Sequence, residues 1–246
     1  MPGLIDLLLL TSGAFLAGIV TGLTGFGTGL TAMALWLYVV SPLVAAPLVA
    51  LCSLSVHVLT IRRIWPEADA RGAVPYVLGA LIFIPAGIGL LTILKPDVFR
   101  ILIGLVLIGF PLFILFSGRT IRIEAESKAS AGAVGAVSGL FGGFAGLSGP
   151  PLVIWSQLCA WPKEKARGLL QIINMAVLGV AVIGYAVGGL LTPELMNAAL
   201  VCLPASMLGG WLGLKLYARV NSETFRKIVL VLLIASGLGL VIPKLL

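Results

Sequence analysis

Charged residues make up only 10% of this 246-residue chain, histidine occurs once and cysteine three times. Soluble domains average about 25% charged residues. A chain this poor in charge, 60% hydrophobic and with a mean hydropathy of +1.17, reads as a polytopic membrane protein. Acidic residues are missing where a membrane pump would need them. All nine carboxylates, Asp6, Glu67, Asp69, Asp97, Glu124, Glu126, Glu164, Glu194 and Glu223, fall at or beyond the ends of predicted helices. No acidic relay or carboxylate cation site is left at mid-membrane. A cation pump is thereby disfavoured, and proton coupling has only His57 or the substrate itself to pass through. Cys52, Cys159 and Cys202 lie in or beside apolar runs without metal-type spacing, which argues against a disulfide framework and a zinc site; no cofactor is expected. No Lys or Arg precedes Arg62, so the first apolar run lacks the basic start of a cleaved signal peptide and is expected within the mature fold.

What the chain has is apolar length. Runs at 43–62, 72–93, 97–117, 163–187, 192–216 and 222–242 are long enough for a hydrocarbon core that takes about 20 residues to cross. Two further stretches, 4–40 and 129–160, are apolar but interrupted by glycine-rich segments, and neither divides into two full spans. The halves resemble each other. VTGLTG at 20–25 matches VSGLFG at 137–142, and DVFRILIGLVLI at 97–108 matches ETFRKIVLVLLI at 223–234, at offsets of 117 and 126 residues. The expected fold class is an all-α polytopic membrane protein, a single transmembrane domain over 1–246. Repeat one (1–120) and repeat two (129–246) would each be an interrupted Gly-rich helical hairpin plus three transmembrane helices.

The net charge of +7 does not call for nucleic acid, because the 16 Lys and Arg residues sit in short segments between apolar runs. If each hairpin enters and leaves on one side, the inside loops hold Arg62, Arg63, Arg71, Arg119, Arg122, Lys128, Lys163, Lys165, Arg167, Lys215, Arg219, Arg226 and Lys227. Only Lys95, Arg100 and Lys244 remain outside, as the positive-inside bias requires. That arrangement needs an odd number of crossings per half, hence two inverted repeats with both termini outside. A parallel duplication would place the basic segments 163–167 and 215–227 outside.

Inverted repeats with broken helices are a recurring transporter plan, with substrate bound near the midplane where the unwound segments meet. Irregular backbone at membrane depth is tolerated only where it lines a cavity or is buried in protein. The first break is GLTGFGTGLT, 22–31, holding Thr24, Gly25, Gly27, Thr28, Gly29 and Thr31. In the second, GLFGGFAGLSGPP at 139–151, Gly142, Gly143, Gly146, Ser148 and Gly149 precede Pro150 and Pro151, which suit a new helix start. Glycine admits a ligand close to the backbone. Half-helix N-termini at about Thr28 and Pro150 would hold one small oxyanion between them. The competing account is that these glycines only permit tight helix packing.

The helices that follow the hairpins add polar groups. At an offset of 117 residues His57 falls opposite Asn174; Ser53 and His57 are one turn apart, and Arg167, Gln171 and Asn174 share a helix face. Polar residues inside spans face the interior or a pathway. For His57 a structural hydrogen bond and a substrate or proton role both stay open. Arg167 suits gating, a charge role or a plain topology charge.

The segment GLFGGFAGLSGPPLVIW at 139–155, its partner at 22–31, KEKARG at 163–168 ahead of a long helix, and the repeated Phe-Arg entering a helix resemble the TauE/SafE family of sulfite exporters over nearly the whole chain. The resemblance implies a bacterial or archaeal inner-membrane transporter, not an enzyme, for sulfur oxyanions such as sulfite or organosulfonates such as sulfoacetate. The family's glycine motifs fall on Gly22 to Thr31 and on Gly139 to Pro151. No proline follows the first copy, where Met33 stands in the place of Pro150.

The resulting expectation is an alternating-access anion carrier, an exporter, whose partners are the small anion and the lipid bilayer, with a homodimer left open. Backbone N–H groups of both hairpins and the hydroxyls of Thr24, Thr28 and Ser148 would be the oxyanion donors, completed by His57, Gln171 and Asn174. Outward movement of an anion is downhill, since the membrane potential is worth about 2.3 kcal/mol per charge per 100 mV. A passive anion channel is the nearest alternative. An intramembrane serine protease is the remote one, with Gly146-Leu147-Ser148-Gly149 as a GxSG pattern and His57 as base. Against it, the glycine cluster recurs at 22–31 without serine, and in rhomboid-like proteases the histidine follows the serine.

Overall fold

A computed structural model of the chain describes residues 3–65, 69–116 and 127–217, with positions 234 and 238 besides. Apart from those two positions, the expected span 222–242 and the second Phe-Arg copy lie outside the described residues. So do Glu67, Arg119, Arg122, Glu124, Glu126, Arg219, Glu223, Arg226, Lys227 and Lys244.

The described residues form nine α-helices and no strand: α1 (Leu4–Thr24), α2 (Thr28–Trp36), α3 (Pro42–Ile64), α4 (Ala70–Ile93), α5 (Pro96–Phe116), α6 (Lys128–Ala145), α7 (Gly149–Leu158), α8 (Lys163–Val187) and α9 (Pro193–Tyr217). Six of them, α1, α3, α4, α5, α8 and α9, are long and apolar enough to cross a membrane. Five coincide with the expected spans, and α1 is the sixth. Helices α2 and α7, with 9 and 10 residues, reach only about 15 Å, half of a hydrocarbon core. The carboxylates within the described residues sit where the helix dipole favours them: Asp69 caps α4, and Asp6, Asp97, Glu164 and Glu194 occupy first turns.

Each interrupted stretch is one long helix followed by a half-length helix that turns back along it. Trp36, at the end of α2, donates its Nε1–H to Leu10 O at 3.1 Å, far up α1. Trp155, near the end of α7, donates to Tyr76 Oη at 2.9 Å, at the level of Gly135 on α6. Both hairpins therefore leave on the side where they started, which is why neither stretch divided into two spans.

Small residues bring the long helices into backbone contact. A Cβ at Gly18 or Gly22 of α1 would fall inside 3.0 Å of Ser206 O or Gly210 O of α9. One at Gly135, Gly139 or Gly143 of α6 would meet the carbonyls of Tyr76, Ala80 or Ile84 of α4 in the same way. In both pairs the contact numbers rise together, so the helices run parallel. Helices α3 and α8 cross antiparallel, with Ser53 beside Asn174 and His57 beside Gln171. Exchanging the two halves returns the same neighbours: α1 with α9 becomes α6 with α4, α3 with α9 becomes α8 with α4, and α3 with α8 maps onto itself.

This correspondence corrects the register read from the sequence. Thr28 and Gly149 begin the two half-helices and Pro42 and Lys163 the next two, in each case 121 residues apart rather than 117. The packing glycines agree, Gly18 and Gly22 answering to Gly139 and Gly143. The C-caps Gly25 and Gly146 keep the same offset, so the sequence match at 117 is displaced by one helical turn. Asn174 thus corresponds to Ser53, not to His57, and Gly29 rather than Met33 stands in the place of Pro150.

Candidate functional site

Two left-handed glycines end the long helices of the hairpins. Gly25 (φ 84°) caps α1 and donates its N–H to Thr21 O; Gly146 (φ 66°) caps α6 and donates to Gly142 O. A side chain at such φ is strained. Two residues further on, Gly27 (φ 101°) and Ser148 are the N-caps of α2 and α7, and neither helix start has a side-chain cap. The two breaks meet around one buried cavity between α3 and α8. Ten of its twelve lining residues come in pairs related by the 121-residue offset, Phe26 with Leu147, Gly27 with Ser148, Thr28 with Gly149, Gly29 with Pro150, and Ser53 with Asn174; Leu30 and Gly146 complete it. Ser53 and Asn174 are each the twelfth residue of their helix, placing the cavity at mid-height.

Asn174 holds the breaks together. Ser148 Oγ–H donates to its Oδ1 at 2.8 Å, and its Nδ2–H donates to Gly25 O at 3.2 Å. One amide thereby satisfies a hydroxyl of the second break and a carbonyl freed in the first. Arg167, 3% exposed on the same face of α8, donates Nη2–H to Gly22 O at 2.6 Å, at the negative end of α1. Its guanidinium also lies against Gly25, where a Cβ would be 3.0 Å from Nη1. At the other end of α8, Tyr185 Oη–H reaches Gly143 O at 2.8 Å and Gly142 O at 3.2 Å. Helix α8 therefore supplies side-chain donors to carbonyls at the breaks of both hairpins, Gly22 O and Gly25 O in the first and Gly143 O in the second.

The apex side chain of each break covers a glycine of the other. A Cβ on Gly149 would lie 2.7 Å from Phe26 Cβ, and one on Gly29 would lie 2.5 Å from Leu147 Cδ2. Phe26 is itself held edge-on against Phe110 of α5, with centroids 5.8 Å apart. The cavity left between them is about 10 Å³, at the lower limit for a single water.

Of the residues expected to form the site, Gly27, Thr28, Gly29, Ser53, Gly146, Ser148, Gly149 and Asn174 line this cavity. Gly25 lies just behind it, against Arg167. Thr24 turns into its own break, donating to Val20 O and Phe26 O. Gly142 and Gly143 pack against Val177 and Ile84, so the second cluster divides between cavity and helix packing. His57 and Gln171 sit one turn from the cavity, bonded to each other at 3.1 Å. Ser148 bonds to Asn174 rather than to His57, and the serine–histidine pair of the protease reading is not formed. Phe26, Leu147 and Tyr185 were not legible as site residues; the only trace was that Phe26 and Leu147 each follow a break glycine. Pro150 and Pro151 carry no N–H, so the first turn of α2 offers Thr28, Gly29 and Leu30 as backbone donors where that of α7 offers Gly149.

No curated relative and no solved structure matches the chain. Residues 10–240, nearly its whole length, match the sulfite exporter TauE/SafE family, and the chain is a multi-pass membrane transporter belonging to that family.

Proposed function

We propose that the protein is an alternating-access exporter of small sulfur oxyanions, with sulfite and organosulfonates such as sulfoacetate as its substrate class. The anion binds between the two breaks. The observation that carries this reading is the meeting of both breaks, at mid-height of α3 and α8, in one cavity lined by equivalent residues of the two halves.

Helix α2 directs its N-terminal N–H groups and its positive dipole end to that point. Thr28 and Ser148 add hydroxyls, bonded in this closed arrangement to Thr21 Oγ1 and Asn174 Oδ1 and released to an anion as the breaks separate, and Ser53 and Asn174 add polar side chains at the same height. Arg167, against Gly25, supplies positive charge. A cavity of about 10 Å³ is far smaller than a sulfite ion, so binding requires the breaks to separate. The antiparallel crossing of α3 and α8, and the neighbour pattern that survives exchange of the halves, support an inverted relation between repeats 1–120 and 129–246. Arg62 and Arg63, in the last turn of α3, and Lys215, in the last turn of α9, support placing that end of the bundle on the cytoplasmic side of an inner membrane. Both termini then lie on the periplasmic side.

The test is flux in sealed proteoliposomes under an imposed potential, comparing sulfite, sulfate, thiosulfate, sulfoacetate and taurine. Sulfite or a sulfonate should move, show counterflow against its unlabelled form, and slow at least tenfold in Gly146→Leu and about fivefold in Ser148→Ala. Leucine at position 146 forces a left-handed φ and meets Val49 and Ala46. Loss of the Ser148 hydroxyl removes one hydrogen bond of about 1 kcal/mol. Absence of flux for every anion, or flux indifferent to both changes, sinks the reading.

A further inference from the structure

Beside the cavity, on the side toward Arg62 and Arg63, lies a buried imidazole with one nitrogen in use and one without a hydrogen-bond partner. His57 is 1% exposed and is the single histidine of the chain. The amide of Gln171 settles its tautomer. Gln171 Nε2–H donates to His57 O at 2.7 Å and lies 3.3 Å from Thr60 Oγ1. A flipped amide would set oxygen against oxygen at His57 O, so Oε1 is the atom that faces the ring. An oxygen that only accepts requires the proton on Nδ1, which donates to it at 3.1 Å. Nε2 is therefore bare in the neutral ring, and this buried lone pair has no hydrogen-bond partner.

The rest of this polar column has little that takes up a proton. From the cavity toward the basic end, the buried polar side chains of α3 and α8 are Ser53, His57 and Thr60, and Asn174, Gln171 and Arg167. In the opposite direction the same two helices bury Val49, Ala46, Val177, Leu178, Ala181 and Tyr185, whose hydroxyl is bonded to Gly143 O. The charged group that α8 turns toward His57 is Arg167. Helix α9 brings Cys202, Glu194 in its first turn and, at its end, Lys215 and Tyr217, whose ring lies against Arg167, and α3 itself has Cys52, Arg62 and Arg63. On α1 the ionisable group is Asp6 in the first turn, and α2 has none. Helices α4, α5 and α6 carry Asp69 and Arg71, Asp97 and Arg100, and Lys128 at or near their starts. No carboxylate from the described residues stands beside the ring, so the charge available to balance an imidazolium there is the transported anion.

We propose that His57 Nε2 is a proton site coupled to the anion site one turn away, so that an anion crosses together with a proton. This rests on the transport reading above. The anion arrives, Nε2 takes one proton to give an imidazolium, and both are released on the other side as the ring returns to its Nδ1–H form. Coupling of this kind is reciprocal: the bound anion favours the proton, and the proton tightens anion binding.

The experiment uses the full chain in proteoliposomes with 2-hydroxyethanesulfonate, which does not titrate near neutrality and so removes proton transfer by the substrate. A pH dye inside the vesicles counts protons per sulfonate. The wild type should move protons with the anion, and bind it about tenfold more tightly near pH 5 than near pH 8. His57→Asn keeps a donor toward Gln171 Oε1 but lacks Nε2, and its remaining sulfonate flux should carry no protons. Because the chain has one histidine, ¹⁵N-histidine labelling gives a single imidazole signal from the wild type alone. It should show bare Nε2 at alkaline pH and a second N–H on acidification, at higher pH when sulfonate is present. Wild-type flux without protons overturns the proposal. So does proton movement that survives in the Asn variant, an Nε2–H tautomer, or a ring whose titration ignores the anion. If no anion moves in any vesicle, it is the transport reading that fails.

Discussion

Asn174 does work at the centre that no charged residue could do in its place. Its amide presents an acceptor to Ser148 and a donor to Gly25 O, joining two helix breaks without placing a net charge beside the proposed anion site. Asn174→Asp is nearly isosteric and keeps the acceptor, so the Ser148 bond survives. The new carboxylate faces Gly25 O and the anion position. Two like charges about 4 Å apart cost on the order of 4 kcal/mol at an effective dielectric constant of 20, and anion flux should fall by about a thousandfold. Vesicle flux together with a thermal melt in detergent checks this. Wild-type flux from a folded Asp variant would show that no anion passes Asn174. Ser148 and Asn174 stood out in the sequence because polar side chains in an apolar span need a reason to be there. Phe26 and Leu147 did not, since one more apolar side chain in such a chain carries no signal until its neighbours are known.

At the scale of helices, the glycines divide into two groups that composition alone does not separate. Gly25, Gly27 and Gly146 have positive φ and make the breaks. Gly18, Gly22, Gly135, Gly139 and Gly143 have ordinary helical backbone and let α1 meet α9 and α6 meet α4. Helix breaking and tight helix packing thus belong to different glycines of the same clusters. The hairpins were legible as interrupted apolar stretches. Their register was not, because the packing glycines recur every fourth residue, and a repeat match displaced by one turn still lays glycine on glycine. A Cβ at Gly22 or Gly139 would enter the space of a backbone carbonyl that cannot swing away. Gly22→Ala and Gly139→Ala should each destabilise the fold by about 1–3 kcal/mol, read as a lower melting temperature in detergent. Gly89 and Gly109 have open space at the same position. Alanine there should leave melting unchanged or raise it slightly, since helix propensity favours Ala over Gly by about 1 kcal/mol. Equal effects at all four positions would deny the division.

For the molecule as a whole, the proposed transport has to undo the closed contact between the breaks. Phe26 lies over Gly149 and Leu147 over Gly29, so in the proposed mechanism an anion reaches the donors of α2 only when the two hairpins part. A covalent link between the breaks tests that requirement. The 2.7 Å from a Cβ on Gly149 to Phe26 Cβ is somewhat short of the roughly 3.5–4.5 Å that disulfides span, and a small shift accommodates the bond. Phe26→Cys with Gly149→Cys would be made in a chain whose Cys52, Cys159 and Cys202 are replaced by alanine. Reduced, it provides its own reference rate. Oxidised, with the bond confirmed by mass spectrometry, it should lose at least nine-tenths of that rate and regain it on reduction. A pore that conducts through a fixed path elsewhere in the bundle would pass anion at the same rate in both states. That result would remove the meeting of the two breaks from the transport path and leave it a purely structural joint.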